Sequence, residues 1–178
     1  MMKKMIAVLL TVAMLLTCAS ALAAEKTYTD PDRDISFAYD DTQFELSGED
    51  ITDDELMVAL NAVDAAWGMV YIQFHLRELD DGETFPTKAD FAELEKGLGL
   101  EVTQGEWNGF KDVFMYTIDD ESETETVFIV PVYDADDGEV EERLTVKVGV
   151  SKLDDEEISM TRDDAISGVL DSLKILDD

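Results

Sequence analysis

The stretch that decides the fold runs from residue 101 to residue 151 and reads EVTQGEWNGFKDVFMYTIDDESETETVFIVPVYDADDGEVEERLTVKVGVS. Runs rich in Val, Ile, Phe, Tyr and Thr alternate in it with short polar turns, which is typical of strands joined by hairpins. Asn108-Gly109 is the strongest turn signal, because both residues accept the positive φ of a type I′ turn. The stretch therefore predicts a continuous antiparallel meander in which Trp107 and Phe110 face each other across this turn.

Two strands of the meander are apolar on both faces. In strand 110–118, simple alternation places Phe110, Phe114, Tyr116 and Ile118 on one face and Val113 and Met115 on the other. Strand 127–133 has a similar composition, and such strands are usually central ones that are covered on both sides. Pro131 has no amide hydrogen to donate to a sheet, so it predicts a bulge or a local edge.

Upstream of residue 101, alternation and turn residues predict further strands. The polar segment 25–34 contains Asp30-Pro31-Asp32, which indicates a short first strand and a turn. Period-two alternation then predicts strands over 35–39, 44–46, 56–62 and 69–77, with an acidic loop over 48–55.

Two amphipathic helices are predicted from capping residues followed by an apolar stripe. Thr87 and Asp90 approximate a capping box, and Phe91, Leu94 and Leu98 form a stripe behind them. Thr161 and Asp164 repeat the capping pattern near the C-terminus. The stripe of this second helix consists of Ile166, Val169, Leu170 and Leu173. Strands and helices together predict an α+β fold with an antiparallel sheet of about six to eight strands covered by the two helices.

Residues 1–23 have the pattern of a secretory signal peptide. Lys3 and Lys4 begin it, residues 5–16 form an apolar run too short to span a bilayer, and Ala21-Leu22-Ala23 provides small residues for cleavage. We therefore expect a secreted protein whose mature form, residues 24–178, is a single α+β domain without a transmembrane span. The alternative is a lipoprotein anchored through Cys18, although Thr17 stands where Gly, Ala or Ser is usual.

Charge limits the partners that this chain can have. It carries 43 Asp and Glu against 13 Lys and Arg, a formal net charge of -30. Nucleic acids are bound by neutralising phosphates with Lys and Arg, so this composition excludes them as partners and disfavours anionic membrane surfaces. A protein or a component of the cell envelope is the remaining class of partner.

The predicted order of elements resembles that of the PsbP-like α/β sandwich, a superfamily of small secreted bacterial proteins and extrinsic subunits of photosystem II. Residues 35–46, ISFAYDDTQFEL, look like its opening strand, with Asp40 where a proline is common and Phe44 where a tryptophan is. Residues 166–175, ISGVLDSLKI, are similar to its closing helix and strand. The resemblance implies a binding or assembly role and carries over no site residues.

Catalytic motifs are missing from the sequence. It has no GxSxG, HExxH, P-loop or GxGxxG pattern, and His75 is its only histidine. Catalytic triads and His-bound zinc sites need partners that a lone histidine lacks, so we expect His75 to be a hydrogen-bonded surface residue. Trp67 and Trp107 lie near turns, where each either covers the core or is an exposed anchor for a partner or a carbohydrate.

Acidic clusters recur in the predicted turns, and the one after residue 133 is the best candidate for calcium. Ca²⁺ takes several oxygen ligands from a chain that wraps it. The candidate ligands are Asp134, Asp136, Asp137 and Glu139. The spacing is not that of an EF-hand, because Gly138 stands one residue too early. The competing interpretation is that acidic turns only keep a secreted domain soluble.

Three functions remain in order of preference. The first is a secreted non-enzymatic binding or assembly domain without a cofactor, which the leader and the missing motifs favour. The second is a calcium-responsive extracellular domain. The third is a hydrolase that relies on a pair of carboxylates, a reaction that needs two acids at a fixed separation in a cleft.

Overall fold

The structure is a computed structural model that describes residues 25–30, 32–52, 54–80, 82–134 and 137–176. The predicted signal peptide and Cys18 lie outside these ranges. The elements in chain order are β1 (Glu25–Asp30), β2 (Ile35–Asp40), β3 (Phe44–Ile51), β4 (Glu55–Ala62), a 3₁₀ turn (Ala65–Trp67), β5 (Val70–Glu78), α1 (Ala92–Leu98), β6 (Thr103–Trp107), β7 (Phe110–Asp119), β8 (Glu123–Tyr133), β9 (Val140–Ser151), α2 (Glu156–Asp171) and β10 (Lys174–Ile175).

The strands form two antiparallel sheets, which confirms the predicted α+β class. The larger sheet has seven strands in the order β3-β4-β5-β9-β8-β7-β6, and the smaller has three in the order β1-β2-β10. Strands β6 to β9 are consecutive neighbours, so the predicted meander is confirmed. Its first turn has Asn108 and Gly109 at φ of 50° and 82°, and Trp107 pairs with Phe110 as expected.

The main core lies between the two sheets, and α2 packs against the same interior. Side chains along a strand point to opposite faces in turn, so every second residue of β4, β5 and β9 faces inward. Phe37 of the small sheet stacks on Phe74 of the large sheet with ring centroids 4.3 Å apart. Ile166 and Val169 of α2 are buried in the same cluster. Burying one such side chain stabilises a fold by about 1.5–3 kcal/mol, so this interior holds the layers together.

The opposite face of β7 and β8 carries a second, smaller core. Phe114 is buried there beneath Phe91, whose ring lies 4.7 Å away, and Phe85 stacks on it at 6.1 Å. The segment that includes α1 thus covers the outer face of the meander. Both faces of β7 are buried around Val113 and Phe114, as the two-sided apolar pattern predicts.

Strand β7 contains a bulge that simple alternation does not reveal. Asp112 has a φ of 57°, and the register with β6 shifts between Gly105 and Trp107. An extra residue in one strand reverses the facing of all that follow it. Phe110 therefore packs in the main core and Phe114 in the second one, and the prediction that they share a face is wrong.

At one edge of the sheet, the prediction of an acidic loop is wrong, whereas the local edge predicted at Pro131 is present. The acidic segment predicted as a loop is the second half of β3, which continues past a register shift between Leu46 and Gly48 as far as Ile51. This bulged and acidic strand is an edge of the sheet, where both features oppose pairing with another chain. Pro131 lies beyond the last residue pair of β7 and β8, so the predicted local edge is confirmed.

Both helices begin at residues other than those predicted. Helix α1 starts at Ala92, because the Thr87 amide and hydroxyl both donate to the Asp90 carboxylate at 2.7 Å and close a turn before it. Leu98 is 61% exposed, so the predicted stripe does not reach it, and the side chain of Leu94 lies outside the described part. Gly99, at φ 67°, ends the helix.

Helix α2 starts one and a half turns before the predicted cap. The Asp155 carboxylate is its N-cap and accepts the amides of Glu157 and Ile158 at 3.0 and 3.1 Å. Thr161 lies inside the helix and donates to the Glu157 carbonyl at 3.0 Å. The acidic run before residue 158 is thus a helix start, where negative charge complements the helix dipole. Neither described helix is long and apolar enough to cross a membrane.

Candidate functional site

The predicted calcium turn connects β8 to β9. The Asp137 amide donates to Asp134 Oδ1 at 3.1 Å, and the Glu139 amide donates to Asp137 Oδ1 at 2.9 Å. Backbone bonds from Gly138 to the Asp134 carbonyl and from Asp134 to the Glu139 carbonyl, 3.0 and 2.9 Å long, close the turn. Asp136 lies outside the described residues. Two of the four candidate carboxylates therefore brace the turn itself.

The described residues contain no group of three or more His, Cys, Asp or Glu side chains arranged to hold a metal ion. Asp134, Asp137 and Glu139 are nevertheless brought into one short turn, as their spacing implies. Calcium binding by this turn stays a prediction.

His75 lies on the outer face of the large sheet, where charged side chains pair across strands. Its Nε2 contacts the Glu55 carboxylate on β4. Two residues further along β5, Arg77 donates to Glu83 Oε1 at 2.5 Å, and Arg143 lies 3.8 Å from the same oxygen. The hydrogen bond from Arg77 lowers the pKa of Glu83 below its ordinary value. The histidine thus lies beside these ion pairs, and its described partner is a carboxylate.

Both tryptophans act in packing. Trp67 is buried against the Phe44 ring, with centroids 5.9 Å apart in an edge-to-face arrangement. Trp107 is half-buried and stacks on Phe128 at 4.1 Å. Their rings fill the two ends of the sheet, so neither presents a fully exposed anchor.

A groove with an apolar floor lies between α2 and β2. It has a volume of about 510 Å³ and is lined by Glu25, Ala38, Tyr39, Asp40, Gln43, Thr161, Asp164, Ala165, Gly168 and Val169, and we call it the helix groove. A Cβ added at Gly168 would meet no atom within 4 Å, so the space above this glycine is open. Ligand sites commonly have volumes of about 300–1,000 Å³, and this groove falls in that range.

Ser172 connects the two elements that form the helix groove. Its hydroxyl accepts the Ala38 amide at 2.7 Å and donates to the Val169 carbonyl at 2.7 Å. The end of α2 is thereby tied directly to β2. The groove is consequently a preformed surface with apolar contacts below and the carboxylates of Glu25, Asp40 and Asp164 around it.

A second cavity lies at the other end of the sandwich. It has a volume of about 390 Å³ and is lined by Asp32, Arg33, Asp54, Leu76, Glu78 and Glu142, and we call it the carboxylate pocket. Burial, with the charges of Glu141, Glu78 and Asp34, raises the pKa of Glu142 to about 7. This pocket gathers four acids, two from the turns before β2 and β4 and two from the end of β5 and the start of β9.

Sequence reasoning missed both cavities. The helix groove joins residues near 40 to residues near 165, and no local pattern links segments so far apart. A partial signal was present in Ala165 and Gly168, small residues three positions apart on a helix, which leave room for a neighbour. For the carboxylate pocket, the alternation of inward-facing residues along β9 extends back from Leu144 to Glu142. This alternation was the sequence signal that places a carboxylate at a core-facing position.

Comparisons with known proteins identify no relative of this chain. Searches of protein-family models, curated proteins and solved structures find nothing that matches the chain. The likeness to the PsbP-like sandwich therefore stays a resemblance in element order, and the function is argued from the cavities themselves.

Proposed function

We propose that this protein is a secreted, non-enzymatic binding or assembly domain and that the helix groove receives a segment of its partner. The groove itself carries the proposal, because it combines a preformed apolar floor with polar groups that can orient a ligand. Secretion is supported by the signal-peptide pattern of residues 1–23, and a non-enzymatic role by the missing catalytic motifs.

The chemistry of the groove favours a segment that is both apolar and basic. Ala38, Ala165 and Val169 offer contacts for an aliphatic or aromatic side chain. Asp40 and Asp164 add negative charge beside that floor, within a protein whose formal net charge is -30. A partner segment that carries Lys or Arg next to a large apolar residue matches both properties.

Fluorescence anisotropy with short labelled peptides tests this proposal. The peptides place Lys or Arg beside Leu or Phe, and matched versions carry Glu in place of the basic residue. We expect saturable binding of the basic peptides and none of the acidic ones. Binding should be lost in Gly168→Phe, whose side chain would fill the groove.

The matched control is Gly97→Phe on α1. Gly97 is also a helical glycine with nothing within 4 Å of an added Cβ, and its substitution leaves the net charge unchanged. Non-specific attraction between a basic peptide and an acidic protein would persist in both variants. Equal binding by the two variants would therefore reject the helix groove as the binding surface.

A further inference from the structure

The carboxylate pocket contains two acids that continue the inward-facing alternation of their strands, Glu78 at the exposed end of β5 and the half-buried Glu142 on β9. Along β5, the inward residues run from Val70 to Leu76, and the next inward position is Glu78. Along β9, Glu142 precedes the buried Leu144 in the same way. The register places Glu78 and Glu142 directly opposite each other. Like charges in this arrangement destabilise an antiparallel pair.

Every neighbouring element adds a charge to this pair. Glu141 precedes Glu142 on β9, Asp32 and Asp34 come from the turn between β1 and β2, and Asp54 comes from the turn before β4. Arg33 is the cation that lines the pocket in the described structure.

Arg33 is already committed to other groups. Its Nη1 lies 3.5 Å from the buried carboxylate of Asp30, and its Nη2 donates to the Thr52 carbonyl. Because this one guanidinium also contacts Asp30 and Thr52, the negative charges around Glu142 outnumber the positive ones. Glu142 is also half-buried, and burial disfavours its ionised form.

We propose that the carboxylate pocket is a proton-operated latch at the end of the large sheet. With Glu142 protonated, the end of β5 stays closed against the start of β9 and against Asp54 in the turn before β4. With Glu142 ionised, repulsion from Glu78 and Asp34 loosens that contact. The latch does not depend on what binds in the helix groove.

The direction of the pH effect follows from the raised pKa. An ordinary Glu titrates near 4.5, whereas Glu142 in the folded protein titrates near 7. Between these values the folded state binds an additional proton, so folding is favoured at the acidic end. This contribution is complete below the ordinary value and is lost as the pH rises through about 7.

Two backbone hydrogen bonds report directly on the closed latch. The Glu78 amide donates to the Asp54 carbonyl at 3.2 Å, and the Leu79 amide donates to the Glu141 carbonyl at 2.9 Å. Both connect segments that line or flank the pocket. Their hydrogen-exchange protection, corrected for the intrinsic pH dependence of exchange, measures how often the latch opens.

Amide exchange measured by NMR at about pH 5.5 and about pH 8 tests the proposal. If opening releases one proton, the protection factor should fall by up to about tenfold for each unit of rising pH. We expect protection at Glu78 and Leu79 to fall with rising pH in the unaltered protein and to stay level in Glu142→Gln. The control Glu139→Gln removes the same charge from the nearby turn and should keep the pH response.

A second measurement follows the titration of Glu142 itself. The side-chain carboxyl carbon of Glu142 should titrate with a midpoint near 7 in the folded protein, and Glu78→Gln should lower that midpoint. Protection that is independent of pH in the unaltered protein would overturn the latch. An unchanged pH response in Glu142→Gln would overturn it as well.

Discussion

The ring of Tyr71 on β5 lies over Gly149, its cross-strand neighbour on β9. A Cβ added at Gly149 would stand 2.1 Å from Cε1 of this ring. Beyond the glycine, the Tyr71 hydroxyl donates to the Glu125 carboxylate on β8, so one side chain spans three strands. Burial and this hydrogen bond raise the pKa of Tyr71, which keeps the hydroxyl protonated at neutral and mildly basic pH.

Gly149→Ala should therefore destabilise the fold by about 1–3 kcal/mol, because the ring must leave its site or the strand must shift. Urea denaturation measures the change in the free energy of unfolding. Gly105→Ala in β6 is the control, since an added Cβ there has nothing within 4 Å. Equal effects at the two glycines would show that Tyr71 does not require the glycine beneath it.

Asn108 joins the first turn of the meander to the end of α2. Its Nδ2 donates to the Leu170 carbonyl at 2.8 Å and to the Leu173 carbonyl at 3.3 Å. Asn108→Asp keeps the shape but replaces the donor with a carboxylate facing carbonyl oxygens, so we expect a loss of about 1–3 kcal/mol in unfolding free energy. Gln104→Glu, an amide-to-carboxylate exchange at an exposed position of β6 opposite Phe114, should change it by less than about 0.5 kcal/mol. Similar losses at both sites would contradict the link to α2.

The true start of α2 gives a third prediction. Asp155→Ala removes the N-cap acceptor of two amides and should cost about 0.5–2 kcal/mol of stability in thermal or urea unfolding. Thr161→Ala, at the residue that sequence pattern favours as the cap, should be neutral or slightly stabilising, because alanine is the better helix former. The reverse order of effects would restore the predicted cap and reject the observed one.

Asp134 supports its turn by accepting the amide of Asp137. Asp134→Ala should lower stability by about 0.5–1.5 kcal/mol, because the Asp137 amide loses its acceptor. The loss should be the same in EDTA and in millimolar Ca²⁺ at matched ionic strength, measured by thermal unfolding. A loss confined to the calcium-containing sample would instead establish the turn as a calcium site.

The sequence predicts the strands of this protein better than their facing. Asn108-Gly109 and the alternation of residues 69–77 are local signals, and local chemistry determines hairpins and half-buried strands. The bulge at Asp112 is different, because it depends on pairing with β6 and nothing in the run 110–118 announces it. One inserted residue then moved Phe110 to the other face.

The predicted start of α2 is wrong for a related physical reason. Thr161 and Asp164 have capping chemistry, but Asp155 has it too, and the helix begins after this earlier residue. The candidate binding surface was out of reach for sequence reasoning, because Ala38 and Gly168 meet only after the two layers have packed. The three carboxylates around that groove could not be selected from 43 acids by pattern.

The most direct test of the account is an NMR titration of the ¹⁵N-labelled protein with the basic, apolar peptide. We expect progressive and saturable shifts of amides that line the helix groove, among them those of Ala38, Tyr39, Ala165 and Gly168. Shifts that are confined to the acidic turns at 119–123 and 134–139, and that vanish with added salt, would contradict a binding role for the groove.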